Sequence, residues 1–275
     1  MAQRHFEEEQ HAESYQRYRV SPPRKLNDEI MTFLRKRMDG DFLDLAVDVG
    51  CGSGQGTELL APHFLTVVGI DISPAQIKLA SAKEHAPNIC FRESPAEDLP
   101  FEDACVDLVT CMSSAHWFNQ PQFLQELHRI LKPRGCLALL SYTMDFELEY
   151  EDCSSKLNDI CQEMYATLHP FRKEFIGSSS LQVYKNIYEL ITYADKEWHE
   201  CLKSEVKMHL SSFIGMVETF ATYQGFLEKD PVEAKKLSQS ITNRLLEAMG
   251  ASSADTEVTV IFKYFYILAS KPQES

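Results

Sequence analysis

The stretch Leu45-Ala46-Val47-Asp48-Val49-Gly50-Cys51-Gly52-Ser53-Gly54-Gln55-Gly56 decides how this chain is read. An apolar run ends in an acid and passes into alternating glycines. The run has the character of a strand buried on both faces, and the glycines permit the positive φ and close backbone approach that a tight ligand loop requires. Thr57, Leu59, Leu60 and Phe64 continue as a helix pattern, whose first-turn N–H groups would face whatever lies over the loop.

Spacing separates two ligand classes that use a strand, loop and helix of this kind. A dinucleotide fingerprint places glycine at its first, third and sixth positions. Counted from Gly50 the sixth position is Gln55, and counted from Gly52 it is Thr57. Neither register fits.

Asp48-Val49-Gly50-Cys51-Gly52-Ser53-Gly54 instead resembles the first motif of class I S-adenosylmethionine-dependent methyltransferases, where an acid, a small residue and Gly-x-Gly-x-Gly close the first strand. The resemblance implies an α/β, Rossmann-like, doubly wound and mainly parallel sheet of seven strands, with an antiparallel last strand and a helical insertion or lid. It also implies S-adenosyl-L-methionine as cofactor.

The whole composition is that of a soluble globular protein. At 275 residues, with 44% hydrophobic and 25% charged side chains, the chain can bury one sizeable α/β core. A net charge of −14 disfavours nucleic acid and anionic membranes as partners. Neither a membrane-length apolar run nor a signal peptide is evident, and a cytoplasmic monomer acting on a small molecule is expected. The 8 cysteines contain no Cys-x-x-Cys pair, so buried thiols are expected and no metal.

Ahead of the glycine stretch, Tyr15-Gln16-Arg17-Tyr18-Arg19-Val20 resembles the segment that packs over the cofactor in the trans-aconitate methyltransferase-like group, with Val20 where proline is frequent. That resemblance implies cofactor contacts from Tyr18 and Arg19. Asn27 and Asp28 are read as the cap of a helix carrying Ile30, Met31, Phe33 and Leu34.

Thr66 to Ile72 is a second strand ending in Asp71, whose carboxylate can accept ribose hydroxyls, with Ile72 beside it. Ser73-Pro74 caps the next helix. Ile89 to Glu93 is a third strand. It leads into Ser94-Pro95-Ala96-Glu97-Asp98-Leu99-Pro100-Phe101, similar to a family segment that lays an acid against adenine. Pro95 stands where that acid is frequent, which leaves Ala96 and Glu97 as candidates.

Val106 to Met112 reads as a fourth strand and ends in Ser113-Ser114-Ala115-His116-Trp117-Phe118. Ligands of open α/β sheets bind outside the carboxyl ends of strands, so Cys111 and Met112 are assigned to the cofactor and His116 and Trp117 to the reaction. The Asn-Pro-Pro-Tyr signature of enzymes that methylate exocyclic or amide nitrogens is absent. Gln120 to Leu131 is an amphipathic helix, stopped by Lys132-Pro133-Arg134-Gly135 before a fifth strand, Cys136 to Tyr142.

One domain is expected over residues 1–275: a core over about 26–143, a helical lid over about 144–195, and C-terminal strands and helices over about 196–270. The expected cofactor set is Tyr18, Arg19, Asp48, Gly50, Cys51, Gly52, Gly54, Asp71, Ile72, Ala96, Glu97, Cys111 and Met112. The expected reaction is methyl transfer to a small-molecule acceptor, with a carboxylate oxygen as target. The alternatives are an NAD(P)-dependent oxidoreductase, favoured by the spacing of Asp71, and a cofactor-binding but inactive partner protein.

Overall fold

The computed structural model describes residues 14, 17–38, 43–171 and 180–273. Eight strands form one sheet: β1 (Leu45–Val49), β2 (Thr66–Asp71), β3 (Ile89–Glu93), β4 (Val106–Met112), β5 (Leu131–Tyr142), β6 (Glu147–Glu149), β7 (Lys196–His209) and β8 (Glu257–Ser270). Their order is β3-β2-β1-β4-β5-β8-β6, with β7 also paired to β8. The pairs from β3 through β5 are parallel, and β8 runs antiparallel to β5, β6 and β7. This is the expected Rossmann-like sheet with one addition. The short β6 meets β8 at Leu148 and Val260, while β5 pairs with the later part of the same strand.

The side-chain period of two divides the core cleanly between the two faces of the sheet. Ala46, Val67, Leu108 and Leu140 point to a face covered by helix α1 (Arg24–Arg35), the single-turn α2 (Thr57–Leu60), the helix Ser154–Leu168 and the helices that follow β7. Val47, Val49, Val68, Val109 and Leu139 point to the other face. Phe123 and Leu127 of α4 (Gln120–Ile130) cover it, together with Tyr184 and Ile187 of α6 (Ser180–Leu190). Helix α3 (Pro74–Ser81) has Ser73 as its cap, accepting from Gln76 N at 3.3 Å.

Three local expectations change. Helix α1 begins at Arg24 after Pro23, so Asn27 and Asp28 lie inside it and cap nothing. Proline pre-sets the entering φ, and the buried Asn27 amide instead donates to Leu59 O at 3.3 Å, tying α1 to α2. The helix after the glycines is one turn long and tightens into a 3-10 turn at Ala61–His63, where Pro62 removes a backbone donor. Finally, the segment expected as a lid divides between two roles.

Helix α6 belongs to the sheet: Tyr184 is fully buried and its hydroxyl donates to Leu140 O at 3.2 Å. The remaining inserted helices, α5 (Ser154–Leu168), α7 (Leu210–Glu218), α8 (Ala221–Lys229) and α9 (Pro231–Met249), gather on the opposite face, where α9 packs on α5 and α8. Helices α7 to α9 enter the chain between β7 and β8, a stretch in which helices were expected but no lid.

Candidate functional site

The strand order reverses between β1 and β4, which opens a crevice at their carboxyl ends. The glycine loop, with Gly50, Gly52 and Gly54 at φ of 72, 54 and 89°, brings Gly50 and Gly52 to its floor. Gly50 N and Cys51 N donate to Ile70 O at 2.7 and 2.9 Å, so the loop is bonded to β2. Side chains would not fit here: a Cβ on Gly50 would fall 2.4 Å from Ser114 Cβ and Oγ.

Two acids organise the loop from below and from the side. Asp48, 1% exposed, accepts from Thr57 Oγ1 at 2.8 Å and Thr110 Oγ1 at 2.9 Å. Burial raises its pKa to about 6 against the opposing pull of those two hydroxyls. Asp71 accepts from Gly52 N through Oδ2 at 2.9 Å and from Ser73 N through Oδ1 at 2.8 Å. One carboxylate thus joins the glycine loop to the start of α3. Burial also raises the pKa of Asp71, and the backbone N–H groups of Ser73, Gly52 and Ile72 oppose the shift.

A cavity of about 180 Å³ extends from this loop. One side is formed by Asp71, Ile72, Gln76, Ser94, Ala96 and Glu97, and the far side by His116, Trp117, Phe118, Tyr142, Met144 and Phe220. A smaller adjoining recess is lined by Asp48, Cys51, Gln55, Gly56 and Tyr264 and shares Arg19, Gly50, Gly52 and Met112 with the main cavity. Ser113, at the end of β4, takes φ of 60°, uncommon for a residue with a side chain, and lines both spaces.

Most of the residues singled out in the sequence come together here. Arg19, Gly50, Gly52, Asp71, Ile72, Ala96, Glu97, Met112, His116 and Trp117 line the main cavity, and Asp48 and Cys51 line the recess. His116 sits in a 3-10 turn, Ala115–Trp117, with its ring centroid 4.9 Å from that of Trp117. Glu97 Oε1 accepts from Asn119 N at 2.7 Å, which ties the loop after β3 to the start of α4.

Three of them line neither space. The Tyr18 ring packs on α7, reaching within 2.8 Å of the place a Cβ on Gly215 would occupy. Gly54 faces Phe91, 2.8 Å from its own virtual Cβ. Cys111 lies on the face of β4 covered by α4 and α6, with Sγ 2.9 Å from Ser114 Oγ, and burial pushes its thiol pKa up. Strand alternation sends Cys111 into the core and leaves Met112 at the cavity.

Sequence reading missed Gln76, Ser141, Tyr142, Met144, Ser180 and the turn Phe220-Ala221-Thr222. Ser141 and Tyr142 carried a usable signal, since they end the fifth strand. Phe220 to Thr222 carried none, because only the packing of α7 and α8 brings that turn over β5. Among the described residues no group of His, Cys, Asp and Glu is arranged to hold a metal, and no helix is long and apolar enough to cross a membrane.

Comparisons with known proteins agree with this geometry. Residues 47–139 match the methyltransferase-domain family. A Dictyostelium discoideum protein that carries a methyltransferase name is 28% identical over 94% of this chain and 93% of its own length. Matches to further curated relatives span about half of those proteins or less. A solved structure described as a type II methyltransferase from Anaeromyxobacter dehalogenans shares the fold with a TM-score of 0.72 at 22% identity, covering 93% of this chain and 99% of that one. Haemonchus contortus phosphoethanolamine N-methyltransferase 2, solved with S-adenosyl-L-methionine, gives a TM-score of 0.51 at 16% identity, over 97% of this chain and 58% of that one. Residues 47–139 thus resemble a methyltransferase domain, and the chain shares its fold with the Anaeromyxobacter dehalogenans protein. The trans-aconitate methyltransferase-like subgroup finds no support among these matches, and the oxidoreductase reading is not favoured by them.

Proposed function

We propose that this protein binds S-adenosyl-L-methionine and moves its methyl group to a small-molecule acceptor, with a carboxylate oxygen as the target. The observation that carries the reading is the run of one cavity from the Asp71-anchored glycine loop to an aromatic wall of His116, Trp117 and Phe220. The residues suit the cofactor. Asp71 offers a carboxylate to a ribose, Gly50 and Gly52 bring backbone without side chains to the cavity wall, and buried Asp48 offers an acid to an ammonium in the adjoining recess.

The bound cofactor supplies an already activated methyl group. The protein's part is then to orient two reactants and exclude water, with no nucleophile of its own required. A carboxylate acceptor is ionised at neutral pH and needs no general base. It needs donors, and the far side of the cavity has Arg19, Tyr142, Ser180 and Thr222. Trp117 and Phe220 would hold the acceptor's apolar portion.

The test is incubation with methyl-labelled S-adenosylmethionine and a panel of small acids, alcohols and amines. Ester products are expected. Label on alcohols or amines alone would remove the carboxylate assignment, and label on protein or RNA alone would remove the small-molecule assignment.

A further inference from the structure

Strand β7 lies at the edge of the sheet. It pairs with β8, and among the described residues no strand pairs with its other side. Its register shifts between His199 and Leu202, where Cys201 takes φ of 65°, and is regular from Leu202 opposite Tyr264 to His209 opposite Glu257. In the next step of that register Leu210 N donates to Thr256 O at 3.0 Å. Bonding alternates along an antiparallel strand, so Leu202, Ser204, Val206 and Met208 bond to β8, while the N–H and C=O groups of Lys203, Glu205 and Lys207 point out of the sheet. An edge of this kind is a template for a further strand.

The charges on the outward row decide what can pair with it. Lys203, Glu205 and Lys207 are exposed and share one face. Lys203 Nζ lies 3.4 Å from Glu147 Oε2 and Lys207 Nζ 3.9 Å from Glu257 Oε1, both acids of the same subunit. Glu205 has no ion-pair partner among the described residues. On the other face Leu202, Val206 and Met208 are half-buried against the core. Lysines alone on an edge would repel a second copy. With Glu205 between them, the row is complementary to itself when run antiparallel.

Only some registers use that complementarity. A two-fold axis at Glu205 would set this acid against itself and Lys203 against Lys207, and an axis at Lys203 would set that lysine against itself. At Val206, Glu205 would meet Lys207, but Lys203 would meet His209 and Ser204 would meet Met208. At Ser204, each Lys203 meets Glu205 of the second copy and each Leu202 meets Val206. We infer that two copies of this chain join edge to edge through β7, antiparallel about a two-fold axis at Ser204, so that one sheet runs through the dimer. The contact is isologous, as a two-fold axis requires. Backbone bonds from the outward groups of Lys203 and Glu205 hold it, and the exposed ion pairs, weak in themselves, select the register. The inference is independent of the methyl-transfer reading and replaces the monomer expected from the sequence.

Sedimentation velocity of the full chain, from nanomolar to high micromolar concentration, tests it. The wild type is expected to pass from monomer to dimer. Lys203→Glu and Glu205→Lys should each weaken the dimer about tenfold or more, and the double reversal should restore it, which a loss through misfolding would not allow. Ser204 falls in a non-hydrogen-bonded pair, with Cα atoms about 4.5 Å apart and within disulfide reach. In a Cys201→Ser background, Ser204→Cys should therefore give a disulfide between copies under mild oxidation, located by peptide mapping, and Val206→Cys should not. A wild type that stays monomeric throughout would overturn the inference. A dimer indifferent to both single reversals would place the interface elsewhere and overturn it too, as would a double reversal no tighter than the single ones, or a disulfide from Val206→Cys and none from Ser204→Cys.

Discussion

Arg19 Nε donates to Thr219 Oγ1 at 2.9 Å across 200 residues of sequence. The same guanidinium lies 4.5 Å over the Phe220 ring, and its Nη1 donates to the Tyr142 hydroxyl. Thr219 is itself held, since its hydroxyl donates to Met216 O at 2.6 Å. One side chain therefore joins the segment before α1, the end of β5 and the turn between α7 and α8, all of which border the cavity.

Replacing Arg19 should loosen that junction. Arg19→Ala removes a cation–π contact and the bonds to Thr219 and Tyr142, and affinity for S-adenosylhomocysteine is expected to fall about tenfold. Arg19→Lys should restore little, because one ammonium on a flexible stem cannot reproduce a planar fork that bonds in two directions while stacking on a ring. Calorimetric titration of both variants checks this, and full recovery with lysine would show that charge alone matters.

Asp71→Asn should be more damaging than its size suggests. The carboxylate accepts one N–H on each oxygen, from Gly52 and from Ser73. An amide has one acceptor oxygen, so its NH₂ would oppose one of those two donors. Losing a charge-assisted bond and leaving a buried donor unpaired is expected to weaken cofactor binding about 10–100-fold. Titration with S-adenosylhomocysteine measures it, and unchanged affinity would remove Asp71 from the site.

Asp48 predicts a pH dependence with a definite sign. Its pKa is raised from 3.8 to about 6 by burial, so the folded protein holds this proton more tightly than the unfolded chain does. The resulting stabilisation is fully present below the unfolded pKa and is lost as pH rises through the folded one. It amounts to roughly 3 kcal/mol between pH 4 and pH 6. Urea unfolding across that window should show Asp48→Asn lacking this component. Binding should run the other way: an ammonium in the recess favours ionised Asp48, so wild-type affinity for S-adenosylhomocysteine should rise as pH passes 6 and the variant's profile should flatten. Equal slopes in the two proteins would refute the assignment.

The legible parts of the chain were those whose cause is local. Ile89 to Glu93 and Val106 to Met112 form strands over the residues expected, because a short apolar run bounded by turn residues needs no distant partner to be recognised. Ser73-Pro74 caps α3 because both residues act within one turn. Asn27 looked like a cap for the same kind of reason, but its amide was already engaged with Leu59, on another helix.

The helical segments after β5 show where local reading stops. Periodicity marks Val183, Tyr184 and Ile187 as one helix face, but not whether that face meets a sheet or roofs a ligand. It meets the sheet. Nothing local marks Phe220, which stacks on Phe146 at 5.7 Å and lines the cavity.

Asp48 to Gly56, with Asp71 at the end of β2, was by itself enough to specify the sheet and the kind of ligand expected at its floor. The left-handed φ values, the acid and the strand ends are properties of neighbouring residues. Only the folded chain decided that Cys111 turns into the core while Met112 faces the cavity, that Phe220 reaches the same cavity, and that Arg19 and Thr219 meet. Those outcomes depend on which surfaces pack together. Burial and pairing are set by contacts between residues far apart in sequence, and no local pattern along the chain encodes them.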